Sequence, residues 1–307
     1  MGRKKLREAH RMKILLLGKT GQLGWELQRS LAPLGEVVAL GRSEGGLCGD
    51  LSDTDGVVET VRSVRPDVIV NAAAHTAVDK AESEPDLAES INATTPGAIA
   101  REAAATGSLL VHYSTDYVFD GSGDRPWRED DQTGPLNVYG RTKLAGEEAI
   151  RQSGCRHWIF RTSWVYASRG KNFAKTILKF AREREVLTVV ADQIGAPTGA
   201  DLLADVTSLA IRARDAQDSG VYHLAAGGET SWHGYAEFLC DVARCAGVEL
   251  KVREIQPVPG SSFPTPAPRP MNSRLNTAKL RGSFGLVLPD WKQGVERMLA
   301  EILAPTT

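Results

Sequence analysis

One turn constrains this chain more than any other feature of it. The apolar run Lys-Ile-Leu-Leu-Leu at 13 to 17 passes directly into Gly18-Lys19-Thr20-Gly21-Gln22-Leu23-Gly24, and a helical pattern follows from Gln22 to Leu34. A run of that length bounded by glycine reads as a buried strand. Glycines have no Cβ, so they permit the tight turn, let backbone N–H groups approach a phosphate and let the helix lie close to the strand. The helix N-terminus favours negative charge. A purely structural turn is the alternative. Position argues against it, because this is the first strand-turn-helix unit of the chain, where dinucleotide-binding folds carry such glycines. The expected phosphate-side residues are Gly18, Thr20, Gly21, Gln22, Leu23 and Gly24.

Further apolar strands are expected at Glu36–Leu40, Asp67–Asn71, Leu109–Tyr113 and His157–Arg161, separated by segments of helical length. That alternation predicts an α/β fold with a Rossmann-type, doubly wound parallel sheet. The strands are nearly continuous in Val, Ile and Leu, as expected when helices cover both faces. Ligands then belong at the strands' C-terminal ends. After Thr162 the rhythm changes: a helix over 172–185, a strand over 186–191, a helix over 201–214, a return to the sheet over 221–225 and a helix over 232–247. Prolines make 257–270 a loop over a site, or a plain linker, rather than regular structure, and a last helix follows over 290–303. The division implied is a nicotinamide-binding domain over 12–165 plus about 195–225, and a smaller C-terminal substrate-binding domain over about 166–194 plus 226–307. The basic residues 1–11 read as a mobile tail.

Charge excludes some partners. With 37 Lys and Arg against 38 Asp and Glu, the chain has no overall pull toward nucleic acid or an anionic membrane. No apolar run approaches the roughly 20 residues that cross a bilayer. Cys48, Cys155, Cys240 and Cys245 form no Cys-x-x-Cys pair, which suits a reducing cytoplasm.

The second strand ends in Gly41-Arg42-Ser43, without the carboxylate that an NAD-preferring site places on the ribose 2′-hydroxyl. Arg42 matches a 2′-phosphate instead, which favours NADPH, with NADH as the alternative cofactor. A plain solvated arginine would look the same. Tyr139-Gly140-Arg141-Thr142-Lys143 opens a helical run to Ile150, and a spacing of four puts Tyr139 and Lys143 on one face. An ammonium near a phenol lowers its pKa, so the pair can pass a proton to a carbonyl oxygen as hydride reaches carbon. The fourth strand runs into Ser114-Thr115-Asp116-Tyr117, where Thr115 can hold that oxygen or merely cap the strand end.

In these features the chain resembles the extended short-chain dehydrogenase/reductases and, within them, the dTDP-4-dehydrorhamnose reductase family. The likeness runs from Met12 to about Glu301. It rests on Gly-Lys-Thr-Gly-Gln at 18 to 22, Asn-Ala-Ala-Ala-His-Thr-Ala-Val-Asp at 71 to 79 and Ser-Thr-Asp-Tyr-Val-Phe-Asp-Gly at 114 to 121. Arg-Thr-Ser-Trp-Val-Tyr at 161 to 166, Asp-Gln-x-Gly-Ala-Pro-Thr at 192 to 198 and Arg-Pro-x-Asn-Ser-Arg-Leu at 269 to 275 extend it. The resemblance implies hydride transfer to C4 of dTDP-4-dehydro-β-L-rhamnose, with Tyr139, Lys143 and Thr115 as the catalytic trio. It also implies Asp50 and Leu51 beside the adenine, Ala73, Ala74, His75 and Thr76 along the cofactor, and Asp116, Tyr117 and Trp164 toward the sugar nucleotide. Arg269 and Arg274 would meet the diphosphate or shape its loop. Trp164 could equally be a core tryptophan.

The resemblance further implies a homodimer, and in some members a magnesium ion between subunits. Glu26, Asp201 and Glu301 fall at the matching places, with Asp201 where a glutamate is usual; solvated surface charge is the alternative. Some members carry an acidic residue where this chain has Gly41, which leaves cofactor preference open. Two rival readings remain. One is a nucleotide-sugar epimerase or 4,6-dehydratase, which keeps its nicotinamide bound; the dehydratase needs an added acid and base, often Asp-Glu after the threonine, where this chain has Asp116-Tyr117. A non-catalytic scaffold would not need Tyr139, Lys143 and Thr115 together.

Overall fold

Ile14, Leu15, Leu16 and Leu17 have no exposed surface, because their strand lies second from the edge of a sheet covered on both faces. The computed structural model describes residues 11–214 and 217–303; the tail expected over 1–11 falls almost wholly outside them. Six strands form the sheet: β1 (Lys13–Leu17), β2 (Glu36–Leu40), β3 (Val68–Asn71), β4 (Leu109–Thr115), β5 (Arg156–Thr162) and, later in the chain, β7 (Gly220–His223). Their spatial order is β7-β5-β4-β3-β1-β2, and all neighbours run parallel. The order reverses between β1 and β3, the switch point outside which ligands bind in such sheets.

Helices α1 (Gln22–Leu31), α2 (Thr54–Val64), α3 (Thr95–Thr106), α4 (Val138–Gln152) and α6 (Ala200–Arg212) cover the sheet. In α1 the buried Gly24, Leu27 and Leu31 recur at helical spacing, and the helix docks on α6 through Arg29–Asp205 at 2.9 Å and Ser208 Oγ to Ser30 O at 2.8 Å. Gly18 and Gly24 are where glycine is required. A Cβ on Gly24 would stand 2.0 Å from the Gly18 oxygen, and Gly18 itself has φ +89 with Ala73 N only 2.7 Å from a would-be Cβ.

A second apolar cluster forms away from the sheet. It gathers α5 (Phe173–Glu183), β6 (Val186–Val190), α7 (Trp232–Cys245), β8 (Glu254–Val258) and α9 (Trp291–Leu303) around Tyr166, Leu239 and Trp291. Between the last two, a short helix α8 (Ala278–Phe284) packs Leu280 and Phe284 onto the sheet's own core. The expected loop over 257–270 is corrected at its start. Pro257 lies inside β8, paired in parallel with β6 opposite Val189. The ladder has only two strands, so proline sits on an edge where its missing N–H breaks no second ladder. Among the described residues no helix is long and apolar enough to cross a membrane.

Candidate active site

A cleft of about 620 Å³ opens at the C-terminal ends of β1, β3, β4 and β5. Its floor is the glycine turn. The N–H groups of Gly18 and Lys19 both donate to the Leu40 carbonyl at 3.0 Å, so they do not face an anion. What faces it is the N-terminus of α1, which carries no side-chain cap and therefore presents unmatched donors and the positive end of the helix dipole. A Cβ on Gly21 would meet nothing closer than 3.5 Å; this glycine keeps the mouth of the cleft clear rather than relieving a clash.

Tyr139 and Lys143 stand on the first turns of α4. Asn137 caps that helix by accepting from Gly140 N–H at 2.8 Å, and a Cβ on Gly140 would lie 2.2 Å from the Tyr117 carbonyl oxygen. The glycine between them thus lets α4 press against the segment after β4, bringing Tyr139 to Thr115. Thr115 accepts from Tyr117 N–H at 3.1 Å and donates to Asp116 Oδ1 at 3.0 Å. It caps the turn and lines the cleft at once.

The electrostatics correct one expectation. The Tyr139 phenol is pushed up to about 12, because burial deprives the phenolate of solvation; a hydrogen bond with Thr115 pulls it down and the Asp116 charge adds to the rise. The Lys143 ammonium donates to the Tyr113 carbonyl at 2.6 Å and lies 3.2 Å from His112 Nε2. Burial lowers Lys143 to about 8, opposed by the Glu147 charge. Asp116 is fully buried, its acid raised to about 6 by burial against hydrogen bonds from Ser273 and Thr115, and its Oδ2 has no partner.

Over residues 12–304 the chain matches the family described as RmlD substrate binding domain. A dTDP-4-dehydrorhamnose reductase of Salmonella typhimurium is 60% identical over 298 residues, 96% of this chain and 100% of that protein. The chain belongs to the dTDP-4-dehydrorhamnose reductase family. A reductase of that name from Burkholderia thailandensis is 46% identical over 95% of this chain and 100% of its own length. The crystal structure of a Bacillus anthracis dTDP-4-dehydrorhamnose reductase in complex with NADP superposes with a TM-score of 0.86 at 34% identity, covering 95% of this chain and 99% of that one. A Thermus thermophilus UDP-glucose 4-epimerase solved with NAD shares the fold, at 21% identity and a TM-score of 0.75, over 96% of this chain and 100% of that one.

In this member of the dTDP-4-dehydrorhamnose reductase family the cleft is lined by Gly18, Thr20, Gly21, Gln22, Leu23, Arg42, Asp50, Leu51, Ala73, Ala74 and Thr76 at one end. Thr115, Asp116, Tyr117, Tyr139, Lys143 and Trp164 line the other. Trp164 is half-buried there, not a core residue. Four expected residues lie outside the lining. Gly24 packs against Gly18. His75 donates its N–H to Asn92 at 2.9 Å and turns its ring to Glu84 at 3.4 Å. Arg269 pairs with Asp79 at 2.8 Å, and Arg274 holds Asn272 at 2.9 Å and Glu229 at 3.6 Å. These contacts tie both arginines to the 269–275 segment and its neighbours, while Arg269 Nη1 is buried without a partner and the Arg269 charge acts on Tyr117 of the cleft.

The three carboxylates of the expected metal site do share a small cavity, yet each faces an arginine. Arg297 reaches Asp201 and Glu301 at 3.6 Å each, and Arg29 reaches Glu26 at 3.5 Å. Among the described residues no group of three metal-ligating side chains is assembled within this one chain.

Sequence reading missed the residues behind Lys143. Asn71 and His112 are register partners across β3 and β4 and hydrogen-bond at 3.1 Å; Glu147 forms a buried ion pair with Arg161 at 2.7 Å. Glu147 continues the spacing of four from Tyr139 and Lys143, a signal that was available. Ser114, Thr162 and Ser163, with buried hydroxyls that lack partners, also line the cleft.

Proposed function

We propose that this chain is an NADPH-dependent reductase that converts the C4 keto group of dTDP-4-dehydro-β-L-rhamnose to the hydroxyl of dTDP-β-L-rhamnose, the last step in making that sugar nucleotide. The observation that carries the reading is the meeting of Tyr139, Thr115 and Lys143 in the same cleft as the uncapped N-terminus of α1, in a chain whose relatives at 46–60% identity bear that activity's name. When bound, the reduced nicotinamide supplies the hydride.

The chain's own residues handle the proton. At neutral pH the phenol of Tyr139 keeps its proton, its pKa being about 12, and its hydroxyl hands it to O4 as the carbonyl becomes an alcohol. One hydride and one proton are added, and nothing leaves. The charge of Lys143, held on α4 four residues away, compensates the phenolate that remains. Thr115 holds the hydroxyl line beside it. The N-terminus of α1 would take the pyrophosphate, Arg42 a 2′-phosphate, Asp50 and Leu51 the adenine side. Asp116, Tyr117 and Trp164 would meet the sugar nucleotide. On this reading, residues 12–165 with about 195–225 hold the nicotinamide, and 166–194 with 226–307 close over the sugar. The four thiols, all unbridged, suit a cytoplasmic enzyme. A homodimer is the commonest assembly for such a chain, and sedimentation would test it.

The deciding experiment is loss of nicotinamide absorbance when protein and NADPH meet dTDP-4-dehydrorhamnose, beside Tyr139→Phe. Turnover that falls by about 10²–10⁴ in the variant supports the reading. No oxidation by the wild type with substrate present overturns it, and release of a 4-epimer without net oxidation would indicate an epimerase.

A further inference from the structure

Trp164 is one of two non-glycine residues with positive φ among the described residues, at φ 48, a left-handed conformation that a bulky side chain does not adopt without surrounding support. The support is visible on three sides. Thr198 N–H donates to the Trp164 carbonyl at 3.1 Å. The Trp164 indole stacks on that of Trp232, with ring centroids 3.6 Å apart and planes within 13°. Gly195 lies beneath, where an added Cβ would stand 2.7 Å from Trp164 Cε2. The short ladder in which Gly195 pairs with Thr230 and Ile194 with Ser231 sets floor and stacking partner in register, since Trp232 opens α7 directly after Ser231, the helix cap. Trp232 is in turn backed by Phe173 at 4.5 Å.

We infer that Trp232 is a positioning residue for substrate. It does not line the cleft itself. It fixes the plane of Trp164, which lines the sugar end of the cleft, and Gly195 leaves the room this requires. The inference rests on the reading above that Trp164 meets the sugar nucleotide. Aromatic stacking is directional, so an unbacked Trp164 would sample other rotamers and present its face for part of the time only.

The test compares wild type with Trp232→Phe, Trp232→Ala and Gly195→Ala, using the circular-dichroism couplet of the stacked indole pair, KM for dTDP-4-dehydrorhamnose and KM for NADPH. Trp232→Ala is expected to lose the couplet and raise the sugar-nucleotide KM by roughly three- to tenfold, the range corresponding to one aromatic pair, with the NADPH KM unchanged. Trp232→Phe should recover most of that KM without recovering the couplet, and Gly195→Ala, which crowds the Trp164 ring at Cε2, should raise the same KM. If Trp232→Ala does not fold, Trp232→Phe and Gly195→Ala decide. Unchanged sugar-nucleotide KM in folded variants, or an equal rise in the NADPH KM, overturns the positioning role alone. A wild type that turns over no dTDP-4-dehydrorhamnose overturns the functional reading and the positioning role with it.

Discussion

The Lys143 ammonium donates to the carbonyl oxygen of Tyr113 at 2.6 Å, the residue that follows its other neighbour, His112, along β4. Asn71 Oδ1 accepts from Ala73 N–H, which turns its Nδ2 toward His112 Nδ1. Lys143 is thereby held from one side of the sheet in a fully buried place. Burial also keeps His112 well below its ordinary value, the Lys143 charge adding to the effect, so the ring stays neutral beside the lysine. With Nδ1 accepting from Asn71, the neutral ring carries its proton on Nε2 and packs beside Lys143 without accepting from it, so His112→Ala should lower kcat/KM by loosening the buried place of Lys143 while the bond to the Tyr113 carbonyl remains; an unchanged kcat/KM would show that Tyr113 alone suffices.

Lys143 titrates near 8, below the ordinary lysine value of 10.5, and the sign has two consequences. The charged form compensates the Tyr139 phenolate, so kcat/KM should fall as pH rises through about 8. Stability should move the other way. The folded state binds fewer protons than the unfolded between about 8 and 10.5, so the unfavourable contribution of the buried charge, full below about 8, is relieved as pH rises through that window. Lys143→Met should therefore be more stable than wild type at pH 7, by a margin that shrinks toward pH 10; thermal melts across pH measure it.

Glu147 raises the Lys143 pKa and closes a fully buried ion pair with Arg161, at 2.7 and 2.9 Å. Removing one partner of such a pair strands the other charge, at about 3–5 kcal/mol. Glu147→Gln should lower the unfolding free energy by that order in denaturant titration, and shift the alkaline limb of kcat/KM to lower pH. A shift without destabilisation would mean that the Arg161 charge finds another partner.

The two inner glycines of the phosphate turn should separate stability from binding. Gly24→Ala places a methyl 2.0 Å from the Gly18 carbonyl oxygen, and overpacking of this kind destabilises by about 1–3 kcal/mol. In Gly21→Ala the added methyl meets nothing nearer than 3.5 Å but stands in the cleft, so the melting temperature should hold while NADPH affinity falls. Equal losses of both properties in both variants would contradict this division.

Arg42 is 90% exposed, 4.0 Å from Asp50, and free to swing onto a phosphate. Arg42→Ala should raise the KM for NADPH by about tenfold and leave that for NADH nearly unchanged, an effect that weakens as salt increases. An equal change for both cofactors would remove Arg42 from 2′-phosphate recognition.

Local chemistry carried much of the site into view. The glycine spacing, the Tyr139–Lys143 period and Thr115 at a strand end all depend on contacts within a few residues of each other, and the structure places all three in one cleft. Arg269 and Arg274 were harder. Their motif looks like a diphosphate clamp, but Asp79, Asn272 and Glu229 are their partners, and no spacing rule brings Asp79 beside Arg269 across 190 residues. The three carboxylates at 26, 201 and 301 likewise meet only because α1, α6 and α9 converge, and the same packing brings Arg29 and Arg297 among them.

The amino-acid sequence by itself determined the alternation of strand and helix, the parallel sheet with its glycine turn and the helical pairing of Tyr139 with Lys143, because periodicity and backbone freedom act over a turn or two of chain. Only the tertiary structure decided that His112 and Asn71 stand behind Lys143, that Trp232 backs Trp164, and that the Tyr139 phenol lies near 12 rather than below its ordinary value. Those outcomes depend on strand register and on how much water each group loses, and both are set by segments far apart in the chain.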